Sequence, residues 1–260
     1  MHVARALITT TALLVLGVAC GDSDETATTS TAGPVTTIAP TTTVPATTTT
    51  GLTTTTTTDT ATTVAVTTTV TPAPQQPAVW PAAEVVLATP EEAAAGFVRE
   101  VLGVEPVLGD FEQGDARSGE ITVFSPGEAG NPVPRGLLFL RQLGPADGWF
   151  VIGAGSDLAS ITSPATGDLV ANGPLTIEGI GTGFEATLVV RAFASGDPTT
   201  VFDQQVVMAG NFGEPLPFST TLDLSGATPG QVVVLLVQGG VGLETDPGDF
   251  SAVPVVVRGG

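Results

Sequence analysis

The chain has 260 residues, 26 of them acidic against 7 basic, and a formal charge of −19; every basic residue is an arginine. It carries one cysteine (Cys20), one histidine (His2), no lysine and no tyrosine. This excludes an intramolecular disulfide and a Schiff-base lysine and, with His2 lost in a cleaved signal segment, a Ser-His-Asp triad and a His-ligated zinc site, and a polyanion of this kind disfavours nucleic acid and anionic headgroups as partners.

Residues 1–19 read as a signal peptide: Arg5 supplies positive charge, and an apolar core containing Ala12-Leu-Leu-Val-Leu16 follows, too short to span a bilayer comfortably. The segment ends in Leu16-Gly-Val-Ala-Cys20-Gly21, which resembles the lipobox of bacterial lipoproteins. That resemblance implies lipidation of Cys20 as the first mature residue. One departure is Gly17, where the family prefers leucine three residues before the cysteine. Losing Arg5 leaves six arginines against 26 acids, so the mature charge is about −20.

Residues 20–76 form a Thr/Pro-rich linker with no aromatic residue and no amphipathic pattern, so the segment buries too little to fold. As a coil of ~55 residues it spans ~40 Å; drawn out as polyproline II it reaches ~170 Å. Its dense threonine also raises O-glycosylation as a hypothesis.

Residues 77–156 read as a small α+β domain. Thr89-Pro-Glu-Glu92 is a helix start, with Thr89 as N-cap, Pro90 at the first helical position and Glu92 closing a capping box. Ala93, Phe97, Val101 and their neighbours make an apolar stripe, and Gly103 stops the helix. Strands are expected at 120–124, 136–143 and 149–154, the last two joined by Gly144-Pro-Ala-Asp-Gly148. Trp149 is expected between sheet and helix. Asp110, Glu112 and Asp115 are read as a solvated, Gly-containing loop.

Residues 157–260 read as an all-β immunoglobulin-like sandwich. Short strands are expected at 175–178, 186–193, 201–209, 218–224, 231–237 and 253–257, with Gly and Pro in every gap. Phe218, Thr220, Leu222 and Leu224 share one face, whereas Val232 to Val237 is apolar throughout and predicts a central strand or one covered on both faces. The succession Ile161-Thr-Ser-Pro164, Gly167-Asp-Leu-Val170, Pro174-Leu-Thr-Ile-Glu-Gly179 and Gly183-Phe-Glu-Ala186, then Pro217-Phe218 and Val253-Pro-Val-Val256, resembles the Gmad2 family, the immunoglobulin-like domain first described in bacterial spore-germination proteins. The resemblance runs from Ser160 to Val257. Trp80-Pro81 and the stretch Asp147 to Ala154 are similar to the region preceding Gmad2 domains in actinobacterial lipoproteins.

Carboxylates, hydroxyls and arginine are what remains for chemistry. Glu244, Asp246 and Asp249 sit in one tight loop and make a weak calcium candidate, without the spacing of an EF-hand. No catalytic residue, cofactor or nucleic-acid partner is expected, and the binding residues are unknown. The leading expectation is a non-catalytic, lipid-anchored protein on the outer face of the cell membrane, whose sandwich binds an envelope protein or glycan. A passive spacer and a carboxylate-based glycan hydrolase are the alternatives.

Overall fold

The structure, a computed structural model, describes residues 76–127, 130–211, 213–240 and 242–258. The signal-like segment, Cys20 and the Thr-rich stretch up to residue 75 lie outside the described residues. Helix α1 (Pro90–Phe97) starts as the sequence requires, with the Glu92 N–H donating to Thr89 Oγ1 at 3.2 Å. Glu92 Oε2 accepts from the Ala88 N–H at 3.0 Å, one residue before the cap. The single helix expected up to Gly103 changes character at Phe97. Val98–Leu102 forms a wider π-helical turn, which buries Val98, Val101 and Leu102 together. Gly103 then leaves it at φ 75, a left-handed position that glycine takes without strain.

Four antiparallel strands follow: β1 (Val107–Asp115), β2 (Ser118–Ser125), β3 (Val133–Leu143) and β4 (Gly148–Gly155). The second half of the chain supplies β5 (Ala159–Ser163), β6 (Leu169–Val170), β7 (Pro174–Gly183), β8 (Thr187–Ala194), β9 (Asp197–Met208), β10 (Gly210–Asn211), β11 (Leu216–Asp223), β12 (Val232–Gly239) and β13 (Asp249–Val257). In one sheet the order is β1-β2-β3-β4-β13-β12-β8-β9, with β6 parallel to the end of β13. In the other, β7 pairs with β11 and β5, and β10 runs parallel to its last residues. The two sheets face each other in the second half as an immunoglobulin-like sandwich.

The 77–156 and 157–260 stretches, expected as separate units, share the first sheet and belong to one compact unit. β4 meets β13 at Ala154↔Ala252, and Ser251 Oγ donates to the Ala154 carbonyl at 3.0 Å. Strand periodicity explains why the join holds. Along β12, Val233, Leu235 and Val237 face the sandwich core, whereas Val234 and Leu236 point the other way. There they meet Phe193, Phe250, α1, and Leu138 and Val151 of the first four strands. The expectation of a central strand or one covered on both faces at Val232 to Val237 therefore holds, and the second cover is the helix. Phe97 and Phe250 rings lie 6.1 Å apart across this contact.

Three further contacts tie the halves. Arg191 on β8 donates to the Val101 carbonyl at 3.0 Å, capping the helix end, with its guanidinium 5.1 Å from the Phe193 ring. Burial lowers its pKa from the usual value. Upstream of the helix, Val79 donates to the Val151 carbonyl at 2.8 Å and accepts from the Gly196 N–H at 3.0 Å, so this segment bridges β4 and the β8–β9 turn. Ser195 Oγ donates to the Ala78 carbonyl at 2.7 Å.

Two sequence expectations change. Asp110, Glu112 and Asp115 lie on edge strand β1, not in a loop, although all three face water as expected. Their stretch lacks an apolar alternation because only Phe111 and Leu108 reach the core. The last strand begins at Asp249 rather than Val253, since its first half crosses to β4. Pro254 interrupts nothing there. Its carbonyl accepts from Gly167, so the edge carrying its missing N–H faces away from β12, where β13 passes from β4 to β6.

The shared core predicts one cooperative transition. Urea unfolding of residues 77–260 followed by tryptophan fluorescence, which reports Trp80 and Trp149, should coincide with the far-ultraviolet circular dichroism curve. Phe250→Ala should lower stability by about 3–5 kcal/mol in both. Separated curves would mean two independently folding units.

Candidate functional site

Arg135 comes from β3, but its guanidinium enters the second half of the chain. Nη2 lies 2.5 Å from Asp246 Oδ2, and Nη1 lies 3.6 Å from Asp249 Oδ2. All three side chains are largely buried, at 16%, 5% and 10% exposure. Asp246 Oδ1 accepts from the Gly248 N–H at 2.9 Å, which shapes the β12–β13 loop, and Ser156 Oγ donates to Asp249 Oδ1 at 3.2 Å. Arg135 Nε is buried without a hydrogen-bond partner. Burial pushes the Asp249 carboxyl above its ordinary value; Arg135 and Ser156 pull it down, and Asp246 adds to the rise.

This cluster is a wall between two hollows. On one side is a cavity of ≈ 240 Å³ at the end of the sandwich, lined by Leu158, Thr182, Phe184 and the glycines 183, 213, 239 and 240. On the other is an open cleft of ≈ 620 Å³ between the uncovered face of β2–β4 and the β4–β5 connection. Phe139, Leu137, Thr122, Ser156 and Ser160 line that cleft. Phe139 lies there over Gly153 and Gly155, where a Cβ would come within 3.6 Å of its ring. Arg135, Leu158 and Asp249 border both hollows.

The calcium candidate is corrected by this geometry. Asp246 and Asp249 are brought together, but the cation between them is Arg135, which already neutralises one of the two charges. Glu244 is exposed and apart from that pair's contacts. Among the described residues no group of three or more carboxylates gathers where it could hold a metal. Asp115 is held below the usual range chiefly by the Arg117 N–H and the Ser118 hydroxyl, so it shapes the β1–β2 turn. Trp149 is buried in the helix-side core, edge-on to Phe111 with centroids 5.3 Å apart, as expected of a packing residue. Sequence reading missed Arg135 and Thr182. Nothing local marks either, because their neighbours come from strands far along the chain. Cys20, the lipidation candidate, lies outside the described residues.

Residues 158–239 match the Gmad2 family, the immunoglobulin-like domain of bacterial spore germination. The match begins at β5 and ends with β12, so the resemblance read from the sequence is found there. No curated protein and no solved structure matches the chain. The Gmad2 domain points to a non-catalytic binding or structural module.

Asp249 gives a signed pH dependence. Its folded pKa stands above the ordinary 3.8, so the folded chain keeps this proton to a higher pH than the unfolded chain. Its contribution is full below 3.8 and is lost as pH rises through the folded pKa. Asp249→Asn should therefore gain stability relative to the parent between about pH 3 and pH 7 in denaturant melts. Arg135→Ala, which leaves two buried carboxylates uncompensated, should cost about 3–5 kcal/mol at neutral pH.

Proposed function

We propose that the chain is a non-catalytic lipoprotein on the outer face of a bacterial cell membrane, whose folded part binds another component of the envelope, protein or glycan. The Gmad2 match over residues 158–239 carries the reading, because it makes the folded part a binding or structural module. Features of the sequence support the anchored placing. An apolar segment ends at the only cysteine, Cys20. A diacylglycerol chain there, with an amide-linked acyl chain, buries many methylenes at ~0.8 kcal/mol each and makes a stable anchor. The Thr-rich stretch then spaces the folded part from the bilayer.

Binding is favoured over passive spacing by the end of the sandwich at which the ≈ 240 Å³ cavity opens. A spacer has no need of half-exposed apolar side chains such as Phe184, Leu216 and Leu243 gathered at one end. As a pair for hydrolysis Asp246 and Asp249 are disfavoured, because both contact Arg135 and both are largely covered.

Fractionation of the natively expressed chain tests the anchor. The parent should sediment with membranes and incorporate a clickable palmitate analogue, whereas Cys20→Ser should lose the label and leave the membrane fraction. A parent chain that is unlabelled and cytoplasmic overturns the proposal. In-cell cross-linking of the parent should then trap an envelope component.

A further inference from the structure

Three connections meet at the end of the sandwich beside Arg135: the turn Phe184–Ala186 between β7 and β8, residues 213–215 between β10 and β11, and the β12–β13 loop. Each presents an exposed carboxylate, with an exposed apolar side chain in the same connection or, for Leu216, at the start of the strand that follows. The pairs are Phe184 with Glu185, Leu216 with Glu214, and Leu243 with Glu244. Phe184, Gly213 and Gly240, one from each connection, line the ≈ 240 Å³ cavity.

The walls of the cavity are apolar, and Thr182 is among the residues that form them. Thr182 lines it at 5% exposure, and its hydroxyl oxygen is buried with no hydrogen-bond partner. An unpaired buried hydroxyl costs free energy unless something satisfies it. The one cation in the lining, Arg135, is already paired with two carboxylates, so the surroundings are net negative. The frame is also preformed. Phe184 donates to the Gly240 carbonyl at 2.7 Å, and a Cβ on Gly183 or Gly239 would overlap the carbonyl oxygen of Thr187 or Thr182. Strand backbones thus approach too closely there for any side chain, which holds the rim in place without help from a ligand.

We propose that this end of the sandwich is a docking site for a basic peptide segment of a partner protein that inserts one apolar side chain into the cavity. Charge complementarity selects the occupant. Lysine or arginine on either side of the anchor meets Glu185, Glu214 and Glu244, which stand exposed on the connections around the mouth. Anionic lipid and acidic peptide are repelled by the same carboxylates. The three glutamates do not converge to metal-binding distance. The inference rests on reading the chain as a binding module and names the chemistry of what it binds.

Fluorescence anisotropy with labelled pentapeptides and the full-length chain in detergent tests it. Lys-Lys-Phe-Lys-Lys should bind, and replacing its phenylalanine with alanine should weaken binding about tenfold or more, as removing a buried aromatic implies. The combined variant Glu185→Gln, Glu214→Gln, Glu244→Gln, all at exposed positions, should lose about tenfold and much of the salt dependence. The proposal is overturned if the alanine peptide or Glu-Glu-Phe-Glu-Glu binds equally well, if the triple variant binds like the parent, or if no peptide binds. Membrane fractionation is independent of all these outcomes, so failure here leaves the anchoring proposal to its own test.

Discussion

Burial of β12 and β13 on both faces is the constraint from which the rest of the fold follows. A sandwich sheet normally leaves one face to water. Here that face carries Phe193, Val234, Leu236, Phe250 and Ala252, all fully or almost fully buried. Left exposed, the four larger side chains would forfeit roughly 2 kcal/mol each, about 8 kcal/mol together. Helix α1 and the first four strands supply the cover. They are in effect a third layer on the Gmad2 sandwich, and they extend its sheet through β4. With no disulfide available, this second core carries stabilisation that cross-links supply in some other small domains.

Arginine suits the seam because it brings several donors on one planar group. Arg191 reaches the helix-end carbonyl of Val101 while its plane lies near the Phe193 ring. Arg135 serves two carboxylates from different parts of the β12–β13 segment. A lysine would gather its three donors on one nitrogen and lack the planar spread that reaches two separated partners. The two arginines differ in consequence. Arg191 fastens the helix to the sheet, whereas Arg135 brings charge and a buried Nε to the boundary of two hollows.

The end of the sandwich is built from backbone as much as from side chains. Gly183, Gly239 and Gly248 stand where a Cβ would strike another strand's backbone, so the β7–β8 and β12–β13 connections crowd together at their bases. That crowding sets the cavity mouth and turns the side chains beside the glycines outward. Asp249 and Arg135 belong to the same arrangement, because the β12–β13 loop that carries Leu243 also carries Asp246. Stability of the seam and the shape of the cavity are therefore coupled through one loop.

The sequence alone determined the class of the second half, most of its strands, the helix start at Thr89 and the stop at Gly103. These are local properties: alternation of Phe218 to Leu224, the unbroken apolar run of Val232 to Val237, and turn and cap residues act within a few positions of themselves. It also left a short list of usable chemistry by the absence of lysine, tyrosine and a second cysteine. Only the tertiary structure decided what covers Val234 and Leu236, that Arg135 rather than a metal sits between Asp246 and Asp249, and that Thr182 lies under a mouth made of three distant loops. Such pairings join residues far apart in the chain, 111 positions for Arg135 and Asp246. Their strands are brought together by burial of apolar faces, and a periodicity records that a face is buried but not which partner buries it.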